Sequence, residues 1–372
     1  MSGKKIHIDY FFAAAVFSLI LIGMVILASV SSVFALEKFG KAGSYFQHQL
    51  IWGILPGLFF GIVGFFIPVS FFKKWSFVLV SIAIFLMMIV FLPGVGVVAG
   101  GATRWIKFFG STFQPSELLK LTYIIYLSAW LANKVKPKAQ RTASWKLTLV
   151  PFFCILGFIF LLLYFQSNAS TTGLLAFISI NMYFLAGTPF WHTLVICAVA
   201  LTGGVSMVVF EPYRLNRVLV AIGILKDPMG LGYQIKQSLI TIGSGGIIGV
   251  GLGMSRQKFG KFLPQTMSDS IFSIYAEEVG FIGCIVLLAL FILLFYRCVR
   301  IARNTSDKFS QLFVIGVAVW FCSQAFLNIG AMTQIFPLTG IPLPFISYGG
   351  SHIIAELAAV GIVLNISKHS HS

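Results

Sequence analysis

Charge is what this sequence has least of. Only 10% of its 372 residues are Asp, Glu, Lys or Arg, against about 25% in an ordinary soluble domain. So few charges cannot cover the surface of a water-soluble protein this long, which excludes a soluble enzyme. Acid is scarcer still, with ten Asp and Glu against 26 Lys and Arg. Cysteine is sparse and unpatterned. Cys154, Cys197, Cys284, Cys298 and Cys322 lie in or beside apolar runs with no Cys-x-x-Cys among them, so they read as structural thiols and not as a metal or redox site. No internal repeat, low-complexity tract or second soluble domain stands out. The glycine run 243–253 has no Gly-Lys-Ser/Thr after it and no βαβ pattern around it, which excludes a Walker loop and leaves a dinucleotide fingerprint very weak.

Apolar side chains fill the space. Hydrophobic residues make up 58% of the chain, 39 of them Phe, and the mean hydropathy is +0.96. A membrane helix needs about 20 apolar residues, and ten candidates fit: 10–34, 45–67, 75–93, 115–133, 147–165, 170–187, 190–211, 271–295, 309–330 and 345–366. The first is too long for a signal-peptide core and lacks a clear cleavage site, so it reads as retained. The expectation is an all-α integral membrane protein, a single polytopic domain over 1–372, with one large extracytoplasmic loop at 212–270 between helices 7 and 8.

The net charge of +16 then reads as topology, and no nucleic-acid partner is implied. With the N-terminus inside, the inner segments hold Lys4, Lys5, Lys73, Lys74, Lys134, Lys136, Lys138, Arg141, Lys146, Arg297, Arg300, Arg303, Lys308 and Lys368. The short outer loops hold only Lys38, Lys41, Arg104 and Lys107. That bias favours an even number of spans with both termini cytoplasmic. The apolar part of the long loop, SLITIGSGGIIGVGLGM, carries six glycines from Gly243 to Gly253. It reads as a loop on or dipping into the outer membrane surface, since irregular backbone at that depth needs protein or water against it.

Ionisable groups beside apolar segments are costly and invite a functional reading. In GATRWIKFFGSTFQPSELLKL, residues 101–121, Arg104 and Trp105 precede a turn and Pro115 opens a helix. Glu117 and Lys120 share one face of that helix. Pro and Glu are also ordinary helix-start residues, while two cations at the outer boundary would suit a phosphate. In QKFGKFLPQTMSDSIFSIYAEEVGFIG, residues 257–283, Asp269 stands where an N-cap belongs. Glu277 and Glu278 inside the apolar stretch are not explained by a cap, and Lys258 and Lys261 lie upstream. The third stretch, residues 328–357, is rich in Pro and Gly and reads as a helix-to-helix loop.

Together these stretches resemble the shape, elongation, division and sporulation (SEDS) family of membrane proteins, to which FtsW and RodA belong. The resemblance runs over almost the whole chain. It is strongest in GATRWI…FQPSELLKL, GYQIKQSLITIGSGGIIGVGLG, LPQTMSDSIFSIYAEEVGFIG and N…PLTGIPLPFISYGGS, and is somewhat closer to FtsW. It implies a peptidoglycan glycosyltransferase that polymerises lipid II, a disaccharide-peptide on undecaprenyl pyrophosphate, at the outer face of the bacterial cytoplasmic membrane. The family's essential carboxylate falls on Asp269, and its loop arginine and helix lysine fall on Arg104 and Lys120. The candidate substrate-binding residues are Arg104, Trp105, Glu117, Lys120, Lys258, Gln234 and Ser347.

It further implies a class B penicillin-binding protein as partner, beside other division or elongation proteins. It leaves room for a divalent cation, Mg or Mn, for which the sequence names no ligands. The chain departs from relatives in reading QSNAST at 166–171 where QPDLGT is common, in LPQTMSDS for LPEAHTDF, and in His352 after GGS where a small residue is usual. Glycosyl transfer needs a base for the acceptor and charge for the leaving pyrophosphate, which fits Asp269 as base and Arg104 with Lys120 at the pyrophosphate. A lipid-linked precursor flippase and a non-catalytic division scaffold remain open on the residues alone. Charges clustered at the outer boundary, without symmetry between halves, favour the enzyme over a carrier.

Overall fold

A computed structural model describes residues 8–99, 102–108, 111–134, 145–225, 230–256 and 266–368. The helices are α1 Tyr10–Phe39, α2 Ser44–Phe66, α3 Val69–Ile89, α4 Pro115–Lys134, α5 Trp145–Phe165, α6 Ala169–Leu185, α7 Phe190–Val209, α8 Pro212–Ala221, α9 Leu231–Ser244, α10 Ile271–Arg303, α11 Lys308–Met332 and α12 Gly350–Ser367. All ten expected spans fall on helices. Seven of these are long and apolar enough to cross a membrane: α1, α2, α3, α7, α10, α11 and α12.

The helix α4 carries charge because it faces protein, not lipid. Leu119, Lys120, Tyr123, Ile124 and Ser128 are all buried, and Tyr123 shares a 2.7 Å hydrogen bond with Ser179 of α6. With α11 and α12 it forms the centre of the bundle, while α1, α2, α3 and α7 present large apolar side chains outward. The close contact of α2 with α12 depends on small residues. Gly53, Gly57 and Gly61 recur every four residues, and a methyl on Gly361 would come 1.9 Å from the Gly61 carbonyl. Such stripes let two membrane helices pack backbone to backbone.

The helical fold carries one small addition. Between α3 and α4 the chain forms a three-stranded antiparallel sheet, β1 Gly96–Ala99, β2 Ala102–Phe108 and β3 Ser111–Phe113. Thr103, Trp105 and Ile106 favour pleated backbone, and Trp105 pairs with Val97 across the first ladder. The sheet projects Arg104 from a strand instead of from a turn.

Among its described residues, the long segment after α7 holds two helices, α8 and α9, and then the glycine turns. These turns repair a broken helix. Gly280, at φ 73° and ψ −169°, interrupts α10 and strands backbone groups where water is scarce. Val250 N donates to Glu277 O at 2.9 Å and Gly251 N to Glu278 O at 3.1 Å. In return Phe281 N donates to Gly246 O at 3.0 Å and Ile282 N to Ile247 O at 3.1 Å. The Glu277 carboxylate accepts from Ser255 Oγ, Ser244 Oγ and Arg256 N, and Glu278 accepts from Ser29 Oγ of α1. The two glutamates therefore anchor the loop and α1 to the kink.

Asp9 and Ser367, near either limit of the described residues, meet at one side of the bundle. Asp9 N donates to Ser367 Oγ at 3.3 Å, and Arg297, near the end of α10, makes an ion pair of 2.6 Å with Asp9. The turn before α10 lies at the other side.

Candidate active site

Asp269 belongs to the turn 266–270 that enters α10. The cap residue of α10 is Ser270, and among the described residues no side-chain hydrogen bond caps its first turn. The capping reading of Asp269 therefore fails, and its carboxylate is left for other work. Three elements hold the turn. From α11, Asn328 Nδ2 donates to Asp269 O at 2.9 Å and to Ile341 O at 2.8 Å. From the loop before α12, Ser347 Oγ donates to Ser268 O at 2.6 Å, and Tyr348 N donates to Met267 O at 2.8 Å. From α9, Gln234 Nε2 donates to Ser270 Oγ at 3.2 Å. Gln234 and Ser347, expected at the substrate, both hydrogen-bond the Asp269 turn, and Ser347 is wholly buried. Above the carboxylate lies bare backbone: a methyl on Gly340 would sit 3.4 Å from Asp269 Oδ2.

Burial pushes the Asp269 carboxyl up from 3.8 to about 6, while the charges of Arg217, Arg104 and His352 pull it the other way. Burial costs the ionised form more than three cationic neighbours restore. A carboxyl in that range is a base at neutral pH and can still hold a proton in transit.

Arg104 reaches from β2 to the turn between α5 and α6. Its Nε donates to Gln166 O at 3.0 Å and its Nη2 to Ser167 O. Burial and then Arg217 lower its proton affinity, Tyr213 and Asp269 raise it, and a guanidinium stays charged regardless. Asn168, in the QSNAST stretch, caps α6 by accepting from Thr171 N at 3.3 Å. Asn caps as well as Asp, so the departure keeps the local fold.

Arg217 was not singled out from sequence. It stands on α8, where Nη1 donates to Leu338 O at 3.0 Å and Nη2 to Tyr213 OH at 2.6 Å. Its Nε is buried without a partner among the described residues. The available signal was Arg214 and Arg217 one turn apart on a short amphipathic helix.

Lys120 faces inward, not toward the site's surface. It is 1% exposed, pairs with Glu117 at 2.7 Å, donates to Gln324 Oε1 at 2.9 Å and lies 5.3 Å over the Trp320 ring. Gln324 in turn donates to Pro342 O at 2.9 Å, so Glu117 and Lys120 brace the loop that covers Asp269. Trp105 is half-buried in β2. Lys258 and Lys261 lie outside the described residues.

No three His, Cys, Asp or Glu side chains gather to hold a metal among the described residues. The described donors around Asp269, with two guanidinium groups acting on it, do not fit a divalent cation. A separate cleft of about 600 Å3 opens between α5, α6 and α7. Its walls include Leu156, Phe160, Ile180, Val199 and Met207. At one end Arg214 lies 5.5 Å over the Tyr164 ring. Two residues further along the chain come the Gln166 and Ser167 carbonyls that hold Arg104.

The family described as "Cell cycle protein", FTSW_RODA_SPOVE, matches residues 10–372. The chain belongs to this FtsW, RodA and SpoVE family. It is 36% identical to Stage V sporulation protein E of Bacillus subtilis over 373 aligned residues, covering 100% of both chains. It is also 36% identical to a probable peptidoglycan glycosyltransferase FtsW of Geobacter sp. (strain M18), covering 93% of this chain and 92% of that one. The fold agrees with RodA of Thermus thermophilus at a TM-score of 0.69, 25% identity and 98% coverage of each chain. It agrees at 0.77, 27% identity and 98% coverage of each with a chain from a structure reported as "Structural coordination of polymerization and crosslinking by a peptidoglycan synthase complex". As a family member the chain is a multi-span integral membrane protein.

Proposed function

We infer that this chain is a peptidoglycan glycosyltransferase that polymerises lipid II, with Asp269 as its general base. One observation carries the assignment of the base: a carboxylate that caps nothing, held in a braced turn with its carboxyl raised to about 6. Asp269 takes the proton of the acceptor sugar 4-hydroxyl. The oxygen attacks the donor anomeric carbon with inversion, and undecaprenyl pyrophosphate leaves. Arg104 and Arg217 stabilise the charge that develops on the pyrophosphate, with the unpartnered Nε of Arg217 as a ready donor. The apolar cleft between α5, α6 and α7 suits the isoprenoid chain. The Asp269 turn and the long segment 212–270 face the outside of the cytoplasmic membrane, with both termini inside. Its partner is a class B penicillin-binding protein, a reading supported by its likeness to a chain of a synthase complex.

The test is strand synthesis from lipid II by purified protein, with and without that partner, over a range of lipid II. Charge-assisted bonds to phosphate contribute about 1.5–3 kcal/mol. Arg217→Ala and Arg104→Ala should therefore each need about 10- to 100-fold more lipid II for the same rate. Wild-type dependence on lipid II in both variants would remove the arginines from the pyrophosphate.

A further inference from the structure

The first turns of α2 touch the loop that holds the Asp269 turn, and nothing in the mechanism above uses them. Residues Leu50–Ile54 form a π-helical turn, a rare device that collects at functional sites. It sets Trp52 O against Gly350, where a methyl would come within 2.6 Å. Just before it, the buried Gln49 accepts from Gly349 N at 2.9 Å, and His48 Nδ1 shares a 2.9 Å hydrogen bond with Tyr348 OH. Tyr348 N donates to Met267 O at 2.8 Å, two residues before Asp269. Tyr348 therefore joins α2 to the Asp269 turn by direct hydrogen bonds.

Around that joint five rings stand in a row. Phe39, at the end of α1, meets Tyr45 edge to face with centroids 5.5 Å apart, and Tyr45 meets Tyr348 in the same way at 5.5 Å. Tyr348 and His48 follow at 5.7 Å, and His48 and Trp52 at 6.5 Å. Edge-to-face packing and the His48 hydrogen bond fix these rings. Phe39 is exposed and the other four are half-buried, so each keeps some open surface. Tyr and Trp at headgroup depth ordinarily serve as membrane anchors. An anchor needs no partner, whereas these rings are tied to one another and to the loop over Asp269. The two ends of that loop differ in chemistry. At one end Arg217 Nη1 donates to Leu338 O at 3.0 Å, and Gly340 faces Asp269 Oδ2. At the other end Tyr348 belongs to the row.

We propose that this aromatic row is a carbohydrate subsite that holds sugar rings of the growing glycan strand. This rests on the reading of the chain as a lipid II polymerase. A strand whose pyrophosphate is held by Arg104 and Arg217 must extend away from them, and the row lies on the other flank of the Asp269 turn. Its chemistry fits a sugar. A pyranose offers apolar C–H faces and a rim of hydroxyls. Aromatic rings cover such faces, while His, Tyr and Trp also carry polar tips that reach hydroxyls. The spacing of the rings is on the scale of one sugar. The row touches no reacting atom. It binds the strand and keeps it in place between additions, so it governs how long a strand grows more than how fast a bond forms.

The experiment reads strand length and initial rate separately, with the full chain and its partner given lipid II. With a stacked ring taken at the value of an aromatic pair, losing one weakens the hold about 2- to 10-fold. Trp52→Leu and Tyr45→Leu should shorten strands by about that factor while the initial rate stays within about threefold of wild type. Trp52→Phe should restore most of the length. Trp75→Leu, which removes an exposed ring at the start of α3, controls for lipid anchoring and should leave lengths unchanged. Wild-type lengths in both row variants would overturn the proposal. So would equal shortening by Trp75→Leu, or lengths restored by excess partner, which would mark the row as a protein contact. If the row variants do not fold, a lipid-free glycan strand bearing a photoreactive group is cross-linked to the unmutated chain. Label on residues 45–52 or 345–350 supports the row, and label confined elsewhere overturns it. Asp269→Asn should lose coupling yet keep that label. If it stays fully active, the base falls and the row stands. If wild type makes strands but the row takes no label, only the row falls.

Discussion

Lys120 shows how a residue's chemistry depends on what it touches. At a membrane boundary a lysine near Arg104 suggests a phosphate clamp. In the fold its ammonium is enclosed by Glu117, Gln324 and Trp320, and spacing along a helix cannot tell an inward face from an outward one. A buried pair is expensive to break from one side, because the charge left behind is uncompensated, at about 3–5 kcal/mol. Lys120→Met should therefore lower the thermal midpoint sharply, and Glu117→Gln with Lys120→Met should recover most of the loss. A single variant of unchanged stability but poorer use of lipid II would return the lysine to the phosphate. Gln234 and Ser347 were visible through their motifs, yet their task as supports of the Asp269 turn was not. Arg217 was hidden for the opposite reason: it lies outside the quoted motifs, and only folding of α8 brings its charge to Asp269.

At the scale of elements, hydropathy made the helical, membrane-spanning character of the chain legible, because a long apolar run in lipid has few alternatives to a helix. The sheet 96–113 was not legible. Its strands hold four, seven and three residues, too short for alternation to stand out beside Gly-rich turns. The glycine run is an intermediate case. Its composition excluded a regular span, but not that its backbone would complete the hydrogen bonds of a kink in α10. Gly280 is the hinge of that arrangement. A methyl there would come 2.2 Å from Gly249 N, in a backbone region that side chains avoid. Gly280→Ala should lower the thermal midpoint in detergent and expose residues 246–256 to protease. An unchanged midpoint and digestion pattern would mean the loop does not lock the kink.

For the whole molecule, the contacts of Asp9 with Ser367 and Arg297 bring the start of α1 to the end of α12, with the Asp269 turn at the far side. This is the arrangement a polymerase needs if its lipid-linked substrate is used outside while basic loops stay inside. Labelling of introduced cysteines, in a background lacking the native five, should reach 212–256 from outside and 135–144 from inside. Labelling of both from one side would contradict the orientation.

The central claim is that a carboxylate free of capping duty performs the chemistry. Its raised value also has a consequence for folding. Below about pH 4 the carboxyl is protonated in folded and unfolded chains alike. Between there and about 6 the unfolded chain ionises first, so the fold loses stability as pH rises, and above that the full cost is present. Asp269→Asn removes the charge and should be at least as stable as wild type at pH 7.5. The deciding measurement is strand synthesis from lipid II by purified, folded Asp269→Asn beside wild type, with partner present. Loss of a general base costs about 100- to 10,000-fold in rate, and wild-type activity should rise through pH of about 6. A folded Asn variant that polymerises lipid II within about threefold of wild type would contradict the account.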